Sequence, residues 1–441
     1  MSKKVSTNAN GEIMAPTWHA LSASRPTTNG HTAAMTSASA LPARREQWLL
    51  RVLAAIQFTH IVDFMVLTPL GPQLTVAFGI SDAQFGLLVS AYSLAAGASG
   101  LLATFYIDRF DRKTLLLGLY AGFALATLAC GVAPHYESLM AARVAAGLFG
   151  GVLGALVQTI VGDVVPLERR GRGMAVVMAA FSLATVAGVP ASLWVATRLG
   201  WHAPFILIAA FSAVVGAIAW RLLPPLGAHL ARARSVSPAA NLRSVLREPN
   251  HWRAYLLTVL VIGASFVVIP YITLFATANV GIAIADLPLI YLFGGAATLF
   301  TSRAFGVLTD RWGAARTFRW LALSATVPLL AVTHLPVVPL WAYTLTTTLL
   351  FVLVSGRMVP TMAIASAAAQ PAQRGTFMSL NGSLQSTAMG LASLLGGLMI
   401  HRLPDGRLSG YGACGWIALL LSLLAVAWVG RVRRSGENAR H

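Results

Sequence analysis

Twelve predominantly apolar stretches follow one another along this chain, near residues 48–70, 84–106, 114–133, 138–162, 173–196, 203–223, 254–276, 287–307, 318–335, 338–362, 376–400 and 412–430. A helix needs about 20 such residues to cross the hydrocarbon core of a bilayer. A backbone in lipid must satisfy its own N–H and C=O groups, which leaves helices and closed barrels as the spanning structures. The chain is 56% hydrophobic and 10% charged, whereas an ordinary soluble domain carries about 25% charged residues. These features exclude a typical soluble globular protein and predict an all-α polytopic membrane protein with twelve transmembrane helices.

The spans divide into two sets of six. Residues 1–46, rich in Ser, Thr, Asn and Ala and without an apolar core segment, are expected to form a disordered cytoplasmic extension and not a signal peptide. A six-helix bundle is expected over 47–223, a polar linker over 224–253, a second bundle over 254–430 and a tail over 431–441. Basic residues orient the chain, because Lys and Arg are retained in cytoplasmic loops. Of the 32 Lys and Arg residues, Arg143, Arg303 and Arg357 lie within spans beyond their outermost turn, Arg51, Arg221 and Arg319 at span ends being counted with the adjoining loops. Arg198, Arg402 and Arg407 lie on one side, and the remaining 26 on the side of the termini. Both termini are therefore expected in the cytoplasm. The net charge of +18 is spread among short loops as topology signals, so no nucleic-acid partner is expected. Cys130 and Cys414 sit inside apolar runs and suggest neither a disulfide framework nor a metal site.

The two sets repeat each other. The loop after the second span reads Asp108-Arg109-Phe110-Asp111-Arg112-Lys113, and the loop after the eighth reads Asp310-Arg311-Trp312-Gly313, 202 residues later. Arg170-Gly171 opens the fifth span and Arg374-Gly375 the eleventh, 204 residues apart. Landmarks at nearly one offset indicate parallel repeats related by an axis along the membrane normal. With these motifs the sequence resembles the major facilitator superfamily over roughly residues 47–430. Thr104 and Asp111 stand where the family's loop signature usually has glycine, and the second copy keeps Gly306. Arg143 followed by Gly147 and Gly150 is similar to the family's span-four motif. Ala187-Gly188-Val189-Pro190 resembles the span-five motif of drug:proton antiporters, in particular the arabinose-efflux-like branch. The resemblance implies a pseudo-twofold pair of bundles, a midplane site between them and rocking-type alternating access.

Asp63 lies 12 residues beyond Arg51 in the first span, hence about 18 Å deeper at 1.5 Å per residue, close to mid-bilayer. An ionised acid there is costly and usually lines an aqueous cavity, pairs with a cation or is protonated. Gln57, His60 and Asp63, spaced by three, form a polar stripe that either faces a central cavity or fixes helix packing. A carboxyl's protonation depends on burial and on neighbouring cations, so an Asp63 whose access to water and to Arg143 changes can load and release a proton. The resemblance places Arg143 within reach of Asp63, as a coupling residue or as a packing anchor. His60 is either a proton relay or simply hydrogen bonded. Arg112 is expected to pair with Asp163, and the resemblance makes Asp108, Arg109, Arg112, Asp163 and their second copy, Asp310 and Arg311, a conformational latch between the halves. Solvated topology charges are the plainer alternative. Gly188 and Pro190 allow close approach and bending of the fifth span. Arg303 and Arg357 are expected to snorkel to the interface; an inward-facing Arg357 would instead favour an anionic substrate. Asn381 and Gln385 are candidates to hydrogen bond a substrate or the eighth span.

No nucleotide-binding signature, metal-ligand spacing or nucleophile triad is present, so neither an enzyme nor an ATP-driven pump is expected, and no cofactor. The expected function is proton-coupled export of a small drug-like or sugar-like compound by a monomer in a bacterial inner membrane. A nutrient symporter or uniporter and a non-transporting receptor on the same fold remain open. Lipid, substrate and protons are the expected partners.

Overall fold

A computed structural model describes residues 42–107, 109–166, 169–227, 230, 238–370 and 373–435. Among them, twelve long helical segments run back and forth. In the first half these are α1 (Ala43–Val66), α2 (Asp82–Tyr106), α3 (Arg112–Gly131), α4 (Tyr136–Val164), α5 (Gly171–Leu199) and α6 (His202–Leu222). The second half comprises α7 (Pro249–Val280), α8 (Leu287–Trp312), α9 (Ala314–His334), α10 (Leu340–Ala368), α11 (Arg374–Met399) and α12 (Tyr411–Trp428). Ten are long and apolar enough to cross a membrane. The other two, α9 and α11, are less apolar for readable reasons. Arg316 and Arg319 open α9, while α11 carries Ser379, Asn381, Ser383, Gln385, Ser386 and Thr387 and packs along α2. We call the end where α1 begins the linker end, and the opposite end the far end.

Helix boundaries follow local chemistry. Ser81 caps α2 in a reciprocal box with Gln84: Gln84 N donates to Ser81 Oγ at 3.2 Å, and Ser81 N donates to Gln84 Oε1 at 2.9 Å. Asp111 caps α3 by accepting from Thr114 N at 3.0 Å. Both first helices of the halves are interrupted. The helix of α1 stops at Val66 and resumes at Gly71–Phe78, with Pro69 in the turn. Helix α7 stops at Phe266 and resumes at Ile272 after a 3₁₀ turn containing Pro270. Pro69 and Pro270 stand 201 residues apart, one short of the Asp108–Asp310 spacing, so the break is part of the repeat. Paired interruptions of this kind mark the substrate region in two-bundle transporters.

Several boundaries differ from those read in the sequence. The 1–46 extension falls largely outside the described residues, and α1 already begins at Ala43. The 224–253 linker contains a helix, Pro238–Arg247, and its last residues belong to α7. The start of the tail is pinned at the linker end: Arg433 N donates to Asn250 Oδ1 at 3.0 Å, and Ser435 N donates to Ala367 O at 2.8 Å. A small β-hairpin, β1 (His401–Arg402) antiparallel to β2 (Leu408–Ser409), joins α11 to α12. Its turn runs through Pro404-Asp405-Gly406, with Gly406 at φ 83°, and Asn279 clamps Leu408 by bonds of 2.9 and 2.8 Å.

The halves close on each other at the far end. Lipid is as apolar as leucine, so helices in a bilayer associate through close contact of small residues and through hydrogen bonds. A Cβ on Gly86 of α2 would stand 2.8 Å from Gly397 Cα of α11, and one on Gly295 of α8 would stand 2.5 Å from Thr185 O of α5. The Tyr271 hydroxyl of α7 fits beside Gly86 and Gly397 and donates to Ser393 O. Thr273 Oγ1 donates across the halves to Thr68 O at 3.2 Å, and Arg402 Nη2 pairs with Asp82 Oδ1 at 3.1 Å. One continuous apolar cluster joins Val66, Leu70 and Phe85 to Val268, Ile272 and Leu274.

Overpacking by one methyl costs about 1–3 kcal/mol, enough to move a two-state equilibrium about tenfold. Gly86→Ala is therefore expected to weaken far-end closure. The check is the labelling rate, by a water-soluble maleimide, of a cysteine placed at the buried Leu274 in a chain with Cys130 and Cys414 replaced by alanine. Faster labelling in Gly86→Ala is expected; an unchanged rate contradicts the closure.

Candidate functional site

Asp63 lies in the last turn of α1, immediately before the break, and is fully buried. Arg143, two turns into α4 and equally buried, donates from Nη1 to Asp63 Oδ2 at 3.0 Å. Thr127 of α3 donates to Asp63 Oδ1 at 3.2 Å. Tyr92 of α2 places its ring 4.4 Å from the Arg143 guanidinium carbon, a cation–π contact that gains strength where water is absent. The first four helices thus converge on one ion pair. A buried charge is tolerated when it is paired and hydrogen bonded, and both carboxylate oxygens have donors here.

The polar stripe of α1 runs along α4. Where Asp63 meets Arg143, His60 lies against Gly150 and Gln57 against Gly154. A Cβ on Gly150 would reach 3.0 Å from His60 Cδ2, so the glycines of α4 make room for the stripe. Four buried polar atoms around the pair have no hydrogen-bond partner: Gln57 Oε1, His60 Nδ1, the Tyr92 hydroxyl and Arg143 Nε. They give the region unused hydrogen-bonding capacity. The stripe was expected either to face a central cavity or to fix helix packing; in this conformation Asp63 has no solvent exposure.

Gly188 ends a π-helical turn, Ala184–Gly188, within α5. A Cβ there would run into the Val62 side chain, next to Asp63. Pro190 follows in the next turn. The same stretch carries Thr185, whose carbonyl receives Gly295 of α8. α5 therefore touches both the Asp63 helix and the opposite half at one level.

In the second half, Arg357 of α10 is buried and does not snorkel, contrary to the expectation. It donates from Nη1 to Ser422 Oγ of α12 at 3.1 Å, and from Nη2 to Ser265 Oγ and Val261 O of α7 at 2.8 and 3.3 Å. These acceptors lie in the bundle interior and hold the side chain across α10. Arg303 is exposed on α8. Asn381 bonds α7, accepting from Thr258 Oγ1 at 2.9 Å, and not α8. Gln385, one turn along, is half-buried.

At the linker end, Arg112 Nε lies 3.3 Å from Asp163 Oδ2, and Arg112 Nη1 donates to Ile107 O at 2.6 Å. The pair joins α3 to α4 within one half, so it braces that half and does not itself bridge the two. Asp108 lies outside the described residues. Arg109, Asp310 and Arg311 are exposed, with no ion pair among the described residues. Asp111 accepts from Leu226 N at 2.9 Å and ties the start of the linker to the loop. Lys113 Nζ adds a bond to Leu223 O at 2.6 Å. Thr127, Tyr92 and the Asp82–Arg402 pair were not picked out from the sequence; neutral polar residues and helix-end charges are too common to single themselves out.

Two repeated six-helix halves, with paired broken helices and a buried ion pair beside one break, define a membrane transporter of the two-bundle kind. Residues 53–362 match the family model described as Major Facilitator Superfamily, and the chain belongs to that superfamily. Among its relatives is the uncharacterized MFS-type transporter YbcL of Bacillus subtilis (strain 168), 24% identical over 86% of this chain and 95% of that protein. A second B. subtilis protein, the uncharacterized MFS-type transporter YhcA, is 32% identical over 40% of this chain, which spans 34% of its length. The chloramphenicol resistance protein of Streptomyces lividans is 28% identical over 56% of this chain and 63% of its own. The crystal structure of the D-xylose-proton symporter shares the fold, with a TM-score of 0.67 at 14% identity over 89% of this chain and 98% of that one.

Removing one member of a buried pair leaves the other charge uncompensated. In a double-mutant cycle on thermal unfolding in detergent, Asp63→Asn and Arg143→Gln are expected to couple by about 0.5–3 kcal/mol, the double variant losing less than the two singles together. Strict additivity would show that the pair is not a unit.

Proposed function

We propose that this transporter is a proton-coupled exporter of a small organic compound, drug-like or sugar-like, in a bacterial inner membrane, with both termini in the cytoplasm. One observation carries the reading. Among the described residues one carboxylate has no solvent exposure at all, Asp63, and it is buried against Arg143 beside the break in α1. A proton bound to Asp63 cancels the negative half of the pair and frees the guanidinium, which loosens the tie between α1 and α4. Release of the proton restores it. Substrate binding that competes for Arg143 and proton binding to Asp63 then draw on the same interaction, which is the requirement for exchange. The contact of Gly188 with Val62 makes α5 respond to any displacement of α1 at this level, and through Thr185 that displacement reaches α8. The name of the S. lividans relative, a chloramphenicol resistance protein, favours the outward direction. In this orientation the far end faces outside, and the conformation described is the one closed to the exterior.

Asp63→Asn is expected to abolish substrate flux driven by an imposed pH gradient in proteoliposomes, at equal amounts of reconstituted protein. Flux at the wild-type rate removes Asp63 from the coupling role, and binding without flux in the wild type favours a receptor. A green fluorescent protein fused after His441 should fluoresce, while alkaline phosphatase at the same point should be inactive; the reverse pattern inverts the topology.

A further inference from the structure

The repeat that aligns the halves also aligns their buried charges, and one charge is missing. Ser265 of α7 lies 202 residues after Asp63, the spacing of Asp310 from Asp108. Both residues occupy the last regular turn before the break in the first helix of their half. Both bond an arginine from the fourth helix of that half: Asp63 takes Arg143 at 3.0 Å, and Ser265 takes Arg357 at 2.8 Å. One half therefore holds a neutral ion pair, and the other a guanidinium facing a hydroxyl where its counterpart faces a carboxylate.

No residue of the second half makes up the difference. Across α7, α9, α10, α11 and α12 the sequence contains no Asp or Glu, and the only one in α8 is Asp310 at the linker end. Arg357 takes part in no ion pair among the described residues and is held by two serine hydroxyls and one carbonyl. Its Nε, buried, has no acceptor at all. Ser265 donates its own proton to Val261 O at 3.0 Å, which turns its lone pairs toward the arginine. A lone cation at this depth is expensive, and a guanidinium fork matches a carboxylate side-on through two parallel N–H bonds.

We propose that Arg357 is an anion site completed by the ligand: a carboxylate of an organic compound bonds the Nε and Nη2 edge, displaces Ser265 Oγ and supplies the charge that Asp63 supplies in the first half. Access comes from the interruption of α7 just beyond Ser265 and from Pro360, one turn after Arg357 in α10, both points where a helix bends readily. The assignment of the carboxylate to the transported molecule rests on the exporter reading above; the binding itself does not.

The test uses purified full-length protein at fixed pH and constant ionic strength, with sodium benzoate as probe, uncharged benzamide as shape control, sodium chloride as inorganic comparison and sodium sulfate as balance. Benzoate, and not benzamide, is expected to raise the thermal unfolding midpoint saturably. Ser265→Asp, which installs the missing carboxylate, should fold and lose that response, its apparent affinity for benzoate falling by at least about tenfold. Arg357→Gln should lose it too; if that variant does not fold, Ser265→Asp alone decides. Asp63→Asn should keep the response, which separates failure of the anion site from failure of proton coupling. No saturable effect in the wild type, an equal effect of benzamide, a response to chloride but not benzoate, or an undiminished response in Ser265→Asp overturns the proposal.

Discussion

A charge placed where water cannot follow has to find its counterpart inside the protein, and that requirement organises the first half of this molecule. Asp63 and Arg143 each carry a desolvation cost of several kcal/mol, which is offset by their mutual contact, by Thr127 and by the Tyr92 ring. Four helices are drawn to one point as a result. The glycines of α4 keep that point accessible to the α1 stripe, since side chains at Gly147 or Gly150 would press on Tyr92 and separate it from the guanidinium. Such a bond is strong only while it is dry and fully charged.

The join between the halves follows a different logic. Apolar burial gains little in a bilayer, so α2 with α11 and α5 with α8 approach through Gly86, Gly397 and Gly295, and single polar contacts mark the seam at Thr68–Thr273 and Asp82–Arg402. Each contact is worth little alone. Within the halves the ties are of another kind: Arg112–Asp163 and the Asp111 cap brace the first, and the Arg357 bonds to α7 and α12 brace the second.

Much of this was legible in the sequence. Long apolar runs locate the helices because the bilayer imposes a length, and the paired loops disclose the repeat because both copies perform the same turn. Asp63 and Arg143 stand out since isolated charges in such runs are costly. Other features were hidden for physical reasons. Arg357 reads as a snorkelling residue until its depth is known, because a long aliphatic stem suits either fate. The break in α7 leaves hydropathy unchanged, so only the match of Pro270 with Pro69 could have announced it. The helix Pro238–Arg247 lies in a polar stretch, where propensity is a weak guide. The hairpin at His401–Ser409 is too short for alternation to show, though Pro404-Asp405-Gly406 is a turn signal.

The π turn at Ala184–Gly188 has a phase consequence for α5. A π turn takes in one residue more than an α turn would, and each residue advances a helix by about 100°. Leu193 and Ala196, buried beyond the turn, face inward on a count that includes this surplus residue. The insertion acts as a half-step in the winding: smoothing it to regular α geometry, with no change of sequence, would rotate the outer third of α5 about its own axis and exchange the side chains it presents to α8.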